Sequence, residues 1–378
     1  MPDRIAHRLN DFDSGKIRLA FELAKEIPDQ IDLSIGFPEE DTPETIKQAG
    51  IKAIQLNHTK YLPANGLAEL RESIANKLKT ENSISAAADN ISVTPGLTTA
   101  ILLCYLAIIN PGDEVILPQP LFPPYYELAK IAGGVPVPLS TFPDFQLTAE
   151  AISQKITPRT KALVINSPNN PSGAVYDEAE LRKIAALAKQ HGIIVISDEI
   201  YEYFSYDKPH FSIGSLYEAT LTLNGFSKAF AMTGWRVGYI AGPADIIEAI
   251  NQLQQYVVFS SSSISQYAAL EALRQPPLHL KDSYKAKRDL ALSLLGEEFP
   301  DIKGGQGAFY LFLRLPPGLE DVKVVNQLSH KGVIVLPGSA FSSKTNYIRV
   351  SFAGDMKRLE TGLVRLVESV RTLDKTRD

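Results

Sequence analysis

Residues 162–201 read ALVINSPNNPSGAVYDEAELRKIAALAKQHGIIVISDEIY, and this stretch decides the fold. Residues 162–165 form a short apolar run with β-branched members, the composition of a buried strand. Asn166-Ser167-Pro168-Asn169-Asn170-Pro171-Ser172-Gly173 then supplies turn chemistry at almost every position. Residues 178–191 carry apolar side chains at three- and four-residue spacing, which predicts a helix. A second apolar run, 193–197, follows and ends on Asp198. Strand, turn, helix and strand in that order are the repeating unit of a parallel sheet.

The same texture extends outward on both sides. Strands are predicted at 91–94, 114–117, 135–139, 220–224 and 237–241, with helices at 97–109, 125–132 and 243–275, and Pro111-Gly112-Asp113 marks a turn. The fold class is therefore α/β, a mostly parallel seven-stranded sheet flanked by helices. After residue 283 the pattern changes to a charged helix, 284–298, and separate strands at 308–313, 333–336 and 347–352. The first 45 residues, with a helix at 16–24 and a strand at 31–35, stand outside the alternation and are expected to return to that second region. The expected division is a large domain over 46–282 and a smaller α/β domain from 1–45 and 283–378.

Composition narrows the function classes. A chain of 378 residues exceeds one ordinary domain of about 100–200 residues. With 44% hydrophobic and 21% charged residues it is neither disordered nor membrane-embedded. Thirty-eight Lys and Arg against 43 Asp and Glu leave a formal charge of −5, so no basic field exists to hold nucleic acid. The single Cys104 lies in an apolar run, which excludes an internal disulfide and a cysteine-ligated metal. No metal is expected. The N-terminus lacks an apolar signal core and no run is long enough to span a bilayer, so a cytoplasmic location is expected.

In an open parallel sheet, functional groups gather beyond the carboxyl ends of the strands. Five strand ends carry candidates. Pro95-Gly96-Leu97-Thr98-Thr99 opens a helix after the strand 91–94, where free N–H groups and the helix dipole suit a phosphate; an ordinary threonine-capped turn would use the same residues. The Asn- and Pro-rich 166–173 segment reads equally as a rigid turn. Asp198 ends a strand apolar enough to be central, and a buried acid needs a cationic partner or takes up a proton. The plainer use of Asp198 is to cap a turn, while Glu199 is expected to face solvent or a salt bridge. Tyr201 would lie beside Asp198 if the chain turns helically there. Lys228 sits in the Gly-flanked apolar stretch 225–234; a desolvated lysine is a nucleophile toward aldehydes, whereas a snorkelling lysine would be merely structural. Arg349 alternates with Ile348 and Val350 on a strand and suits a bidentate grip on a carboxylate, or a structural pair with an acid. An anion nest, a strand-end acid, an amine nucleophile and a carboxylate-binding arginine together describe a site for pyridoxal 5′-phosphate acting on an amino acid.

These residues resemble the class I/II pyridoxal-phosphate aminotransferases of fold type I. The likeness runs in order through Leu33-Ser34-Ile35-Gly36-Phe37-Pro38, Tyr61-Leu62-Pro63-Ala64-Asn65-Gly66, Asn110-Pro111-Gly112-Asp113, Asn169 to Gly173, Ser197 to Tyr201, Ser227-Lys228 with Gly234-Trp235-Arg236, and Ile348-Arg349-Val350-Ser351. The resemblance implies that Lys228 is the internal Schiff-base lysine and moves the substrate proton, and that Asp198 pairs with the protonated ring nitrogen. It implies that Tyr201 and Asn170 bond the ring hydroxyl oxygen and that Phe122 stacks on the ring. It assigns Gly96, Leu97, Thr98 and Arg236 to the phosphate. Tyr61 would reach the phosphate of a neighbouring subunit in a homodimer, and Arg349, with Gly36 and Asn170 nearby, would clamp the substrate carboxylate.

Two departures stand out. Gly225 occupies a position where many relatives carry a hydroxyl for the phosphate, so that contact is expected to be missing or replaced by Ser227. No extra cation for a distal carboxylate is identifiable; Ile17, Ile35 and Phe37 lean toward neutral or aromatic substrates, while Lys16 and Arg18 keep acidic ones open. The implied activity is exchange of an amino group between an L-amino acid and a 2-oxo acid by a ping-pong mechanism. The alternatives are a carbon–sulfur β-lyase using the same cofactor, and a non-catalytic sensor of the kind fused to DNA-binding modules. The chain opens almost directly on the matching segment and keeps Lys228, both of which disfavour the sensor.

Overall fold

The computed structural model describes residues 29–277 and 280–375, together with residues 6 and 9. The helix expected at 16–24, and with it Lys16, Ile17 and Arg18, lies outside the described residues. In chain order the strands are β1 (Ile31–Asp32), β2 (Ile91–Thr94), β3 (Glu114–Gln119), β4 (Val135–Ser140), β5 (Thr160–Asn166), β6 (Ile194–Asp198), β7 (Thr220–Gly225), β8 (Gly238–Ala241), β9 (Tyr310–Arg314), β10 (Val333–Ile334), β11 (Leu336–Pro337) and β12 (Tyr347–Ser351). The seven expected strands between 91 and 241 form one sheet of order β2-β8-β7-β6-β5-β3-β4. The five strands from β4 to β7 are parallel, and β8 runs antiparallel to both of its neighbours. Asn166 is level with Asp198, and Asp198 with Leu223. The turns leaving β5, β6 and β7 therefore open on one edge of the sheet, where an α/β fold places its ligand.

The helices lie where their patterns put them. Leu97–Ile108 follows β2 and buries Ala100, Ile101, Leu103 and Cys104; that enclosure pushes the Cys104 thiol well above its usual range. Its N-cap, Gly96, has φ of 78°, a left-handed conformation that a side chain strains. Glu178–His191 has acids in its first turn and Lys189 and His191 in its last, and stops at Gly192 with φ of 64°.

Three expectations change. The predicted helix 243–275 is two helices, Ala244–Val257 and Ser263–Ala272. Phe259 turns the chain at φ of 67°, and Ser262 restarts it by accepting a hydrogen bond from the Ser265 N–H, as serines do when they compete with a helix for its backbone. The predicted strand 31–35 is only β1, because Asp32 accepts from the Ser34 N–H and bends the chain. The predicted strand 333–336 divides between two sheets, β10 pairing with β1 and β11 with β12.

The C-terminal third builds an antiparallel sheet of order β11-β12-β9, covered by the helices Leu280–Leu295 and Met356–Lys375. One core cluster joins Ile31 and Leu33 to Tyr284, Leu313, Val350 and Leu363. Among the described residues no helix is long and apolar enough to cross a membrane.

Candidate active site

A cavity of about 530 Å³ opens at the carboxyl edge of the large sheet, between it and the segment 32–37. Eleven of the thirteen expected site residues line it: Leu97, Thr98, Phe122, Asn170, Asp198, Tyr201, Ser227, Lys228 and Arg236 from the large-sheet side, with Gly36 and Arg349 from the other. Gly96 and Tyr61 do not. Gly96 lies directly behind Arg236, whose Nη2 would be 2.4 Å from a Cβ at that position. Tyr61 is 83% exposed, its ring 4.5 Å from that of Phe259.

Asp198 is 4% exposed. Burial raises its pKa to about 6, against the opposing pull of the Tyr125 hydroxyl, which donates to Oδ2 at 2.6 Å, and of the Ile200 N–H, which donates to Oδ1 at 3.1 Å. Its backbone carbonyl accepts from Asn166 Nδ2, and Asn166 Oδ1 in turn accepts from the Asn170 N–H. The turn after β5 and the end of β6 are thus one hydrogen-bonded unit.

Lys228 Nζ donates to the Gly36 carbonyl and sits 5.8 Å from the centre of the Tyr201 ring. Burial, reinforced by the nearby Arg349 charge, lowers its pKa to about 8. A large fraction is neutral near pH 8, which makes the amine a competent nucleophile.

Arg349, on the same face of β12 as Tyr347 and Ser351, is 5% exposed. Its Nη1 donates to Asn170 Oδ1 at 3.0 Å and its Nη2 to the Ser34 carbonyl at 2.7 Å, while the buried Nε has no protein acceptor. The guanidinium lies 4.4 Å from the Tyr310 ring centre and 4.9 Å from that of Phe341. Arg236 adopts a left-handed conformation, φ 53°, and brings its guanidinium to the N-terminus of Leu97–Ile108. Two positive features, a guanidinium and the free N–H groups of a helix start, face the same point. Among the described lining residues the cations are Lys228, Arg236 and Arg349, against Asp198 and Asp32. The cavity is built for anions.

The structure bears on two further sequence expectations. Of the two settings expected for Glu199, solvent or a salt bridge, it has the second: Glu199 is buried, and its Oε2 is 3.0 Å from His210 Nε2. Gly225 is explained by packing, since a Cβ there would lie 2.8 Å from the Gly238 Cα across the β7–β8 pair; Ser227 lines the cavity. Sequence reasoning missed Tyr125, Asn166 and Tyr310 as site residues. Tyr310 meets Tyr201 hydroxyl to hydroxyl at 3.0 Å. Tyr125 had one available signal, a position one helical turn beyond Phe122.

The family model for class I and II aminotransferases matches residues 28–366. A probable aspartate/prephenate aminotransferase of Thermus aquaticus is 40% identical over 362 residues, covering 93% of this chain and 94% of its own. An aromatic-amino-acid aminotransferase of Thermococcus litoralis is 38% identical, covering 96% and 97%. The solved aspartate aminotransferase of Thermus thermophilus with maleate superposes with a TM-score of 0.92 at 37% identity, over 97% of this chain and all of that one. Family match, overall likeness and fold agree, and the chain belongs to the class I and II aminotransferases, enzymes of fold type I that use pyridoxal phosphate.

Proposed function

We propose that the cavity holds pyridoxal 5′-phosphate and transfers amino groups from donors with large apolar or aromatic side chains. The carrying observation is the charge layout of the cavity. A buried acid raised toward neutrality, an amine lowered toward it, and a guanidinium at a helix start mark three separate points of one small site. Those residues fit the cofactor. Asp198 would face its basic ring nitrogen, whose positive charge would supply the partner that the buried carboxylate calls for. Arg236 and the N–H groups of Leu97 and Thr98 would hold its phosphate. Phe122 would lie against the ring, and Tyr201 and Asn170 would reach its hydroxyl oxygen.

When bound, the cofactor supplies an electron-accepting ring that stabilises negative charge at the substrate α-carbon. The chain supplies the remainder. Lys228 Nζ would hold the cofactor at its aldehyde carbon and, when free as an amine, would take the proton from the substrate α-carbon. The Arg349 guanidinium, with its Nε still without an acceptor, would take the substrate carboxylate, with the ring faces of Tyr310 and Phe341 excluding water around it. Ile35, Phe37, Leu97, Leu336 and Phe341 give the remaining wall its apolar character, which supports the choice of donor. Acidic donors are the second reading, favoured by the relatives named for aspartate.

Other parts of the reading rest on separate observations. Tyr61, Tyr256, Val257, Val258 and Phe259 are exposed large apolar residues, with the Tyr61 ring against Phe259, a surface that suits a homodimer with Tyr61 reaching the partner's phosphate. The pairing of β1 with β10, and a core cluster that packs Ile31 and Leu33 with Leu313 and Val350 as well as with Ile200 and Phe204, support the return of the N-terminal segment to a small domain of 1–45 and 283–378 beside a large one at 46–282. The absence of a membrane-spanning helix among the described residues is compatible with a cytoplasmic enzyme. The test is visible absorption of the purified protein with added pyridoxal phosphate, titrated with single amino acids. Bleaching by aromatic and aliphatic donors, with recovery on adding a 2-oxo acid, is the expected result. Bleaching by aspartate and glutamate alone would move the assignment to acidic donors, and no colour at all would remove Lys228 from its role.

A further inference from the structure

Behind the cavity, on the side away from the ligand, lies a buried polar network that the reaction does not use. The chain from Asp198 to Glu202 turns so that Asp198 and Tyr201 face the cavity while Glu199 and Glu202 point away. Glu202 is buried. Its Oε1 accepts from Lys77 Nζ and, at 2.7 Å, from Asn224 Nδ2; its Oε2 accepts from Asn82 Nδ2 at 2.6 Å. Lys77 also donates to Asn82 Oδ1 at 2.7 Å. Glu199 is held by Ser197, Ser212 and His210. Glu199, Glu202 and His210 come within 4.8 Å of one another as a metal set would, but each carboxylate oxygen already accepts from a protein donor, and Lys77 supplies the cation. Lys77 pairs with Glu202 and His210 with Glu199, so the network holds protein to protein.

Asn224 gives it direction. It is the penultimate residue of β7, its Nδ2 reaches Glu202, and its Oδ1 accepts from the Gly225 N–H at 2.7 Å, where the chain leaves the strand toward Lys228. One side chain therefore joins the turn carrying Tyr201 to the loop carrying Lys228.

We propose that Asn224, Glu202 and Lys77, none of which lines the cavity, are positioning residues: the buried Glu202 carboxylate, anchored by Lys77 and Asn82, holds the Tyr201 turn against the Lys228 loop through Asn224. The inference rests on the reading of Lys228 and Tyr201 given above. A buried carboxylate suits this task because its bonds to charged or amide donors are the stronger ones, and losing one leaves a buried group unsatisfied. Glu81, Tyr203, Tyr239, Glu199 and His210 complete the ionisable groups around Glu202.

The test uses the full chain with Asn224→Ala, which leaves the Lys77–Glu202 pair intact. In the cofactor-free protein, amide hydrogen exchange over 198–204 and 223–229 should rise roughly tenfold or more, the effect of one lost bond to a buried charge, while 91–94 and 162–165 keep wild-type rates. In the cofactor-loaded protein the pH at which the visible absorption changes should move, and kcat should fall with KM for the amino donor within about twofold. Lys77→Met should reproduce these effects and Lys77→Arg should restore them. Wild-type exchange and an unmoved absorption midpoint would overturn the proposal, as would a uniform rise in exchange across the sheet, which is general destabilisation. Should the wild-type protein form no colour with pyridoxal phosphate, the cofactor reading fails, and hydrogen exchange still decides whether Asn224 ties the two segments.

Discussion

Tyr125 donates its hydroxyl proton to Asp198 across 2.6 Å, and both side chains are buried at the carboxyl edge of the sheet. The bond favours the ionised carboxylate, and so opposes the burial that raises its pKa to about 6. Tyr125→Phe removes that opposition. In the cofactor-free protein the titration of Asp198, followed by NMR, should then move to higher pH by roughly one unit, the worth of one hydrogen bond to a charge. A titration that stays in place would detach Tyr125 from Asp198.

Lys228 titrates near 8 in the fold against 10.5 for an ordinary lysine. A depressed amine costs stability where both states are protonated, so the cost is full below pH 8 and fades between 8 and 10.5. Lys228→Met, measured without cofactor, should therefore be more stable than the wild type at pH 7 by up to about 3 kcal/mol. The difference should close as pH rises toward 10.5, and urea denaturation at pH 7 and pH 10 would read it. A constant difference across that range would mean that the charge is not the cause.

Gly96→Ala is expected to fail twice. The left-handed φ of 78° costs a side chain about 1–2 kcal/mol, and the new Cβ would meet Arg236 Nη2 at 2.4 Å. Both Tm and retention of pyridoxal phosphate on dialysis should drop. Loss of stability with undiminished retention would separate the guanidinium from the phosphate.

Arg349→Ala should raise KM for amino donors roughly thirtyfold or more, as when a buried charge pair worth about 2–5 kcal/mol loses one member, with a smaller change in kcat. Steady-state kinetics with an unchanged KM would place the carboxylate elsewhere.

Gly225→Ser tests whether the missing hydroxyl can be restored. Its Cβ would sit 2.8 Å from Gly238 Cα and 3.1 Å from Leu97 Cδ1, so overpacking should lower stability by about 1–3 kcal/mol without tightening the cofactor. A stable variant with stronger retention would show that the strand pair can open.

The legible parts of this molecule are those written locally. β5 and β6 announce themselves as apolar runs bounded by turn residues, and Asp198 and Lys228 stand out because charge is rare at the end of such runs. Tyr125 and Tyr310 were hidden for the opposite reason. A tyrosine inside an apolar helix or strand reads as core, and only the fold brings Tyr310 to Tyr201, 109 residues away in sequence. Glu199 was ambiguous because its partner His210 comes from a loop that no periodicity places. The break at Phe259 was missed because apolar spacing resumes at Ile264 after four serines, with no glycine or proline to punctuate a helix, while the backbone turns at Phe259.

The segment from Ile31 to Phe37 completes the cavity wall, yet its backbone is hydrogen-bonded to that of Gly332, Ile334 and Ser351. In synthesis it waits for about 300 residues before those partners exist, which at roughly 5–20 residues per second is a delay of some 15–60 seconds. During that interval the large sheet can assemble with Asp198 and Lys228 in place, but the carboxylate grip and the Gly36 acceptor for Lys228 cannot. The carboxylate grip therefore arrives with β12, and a nascent chain halted before Tyr347 would carry an open half-site.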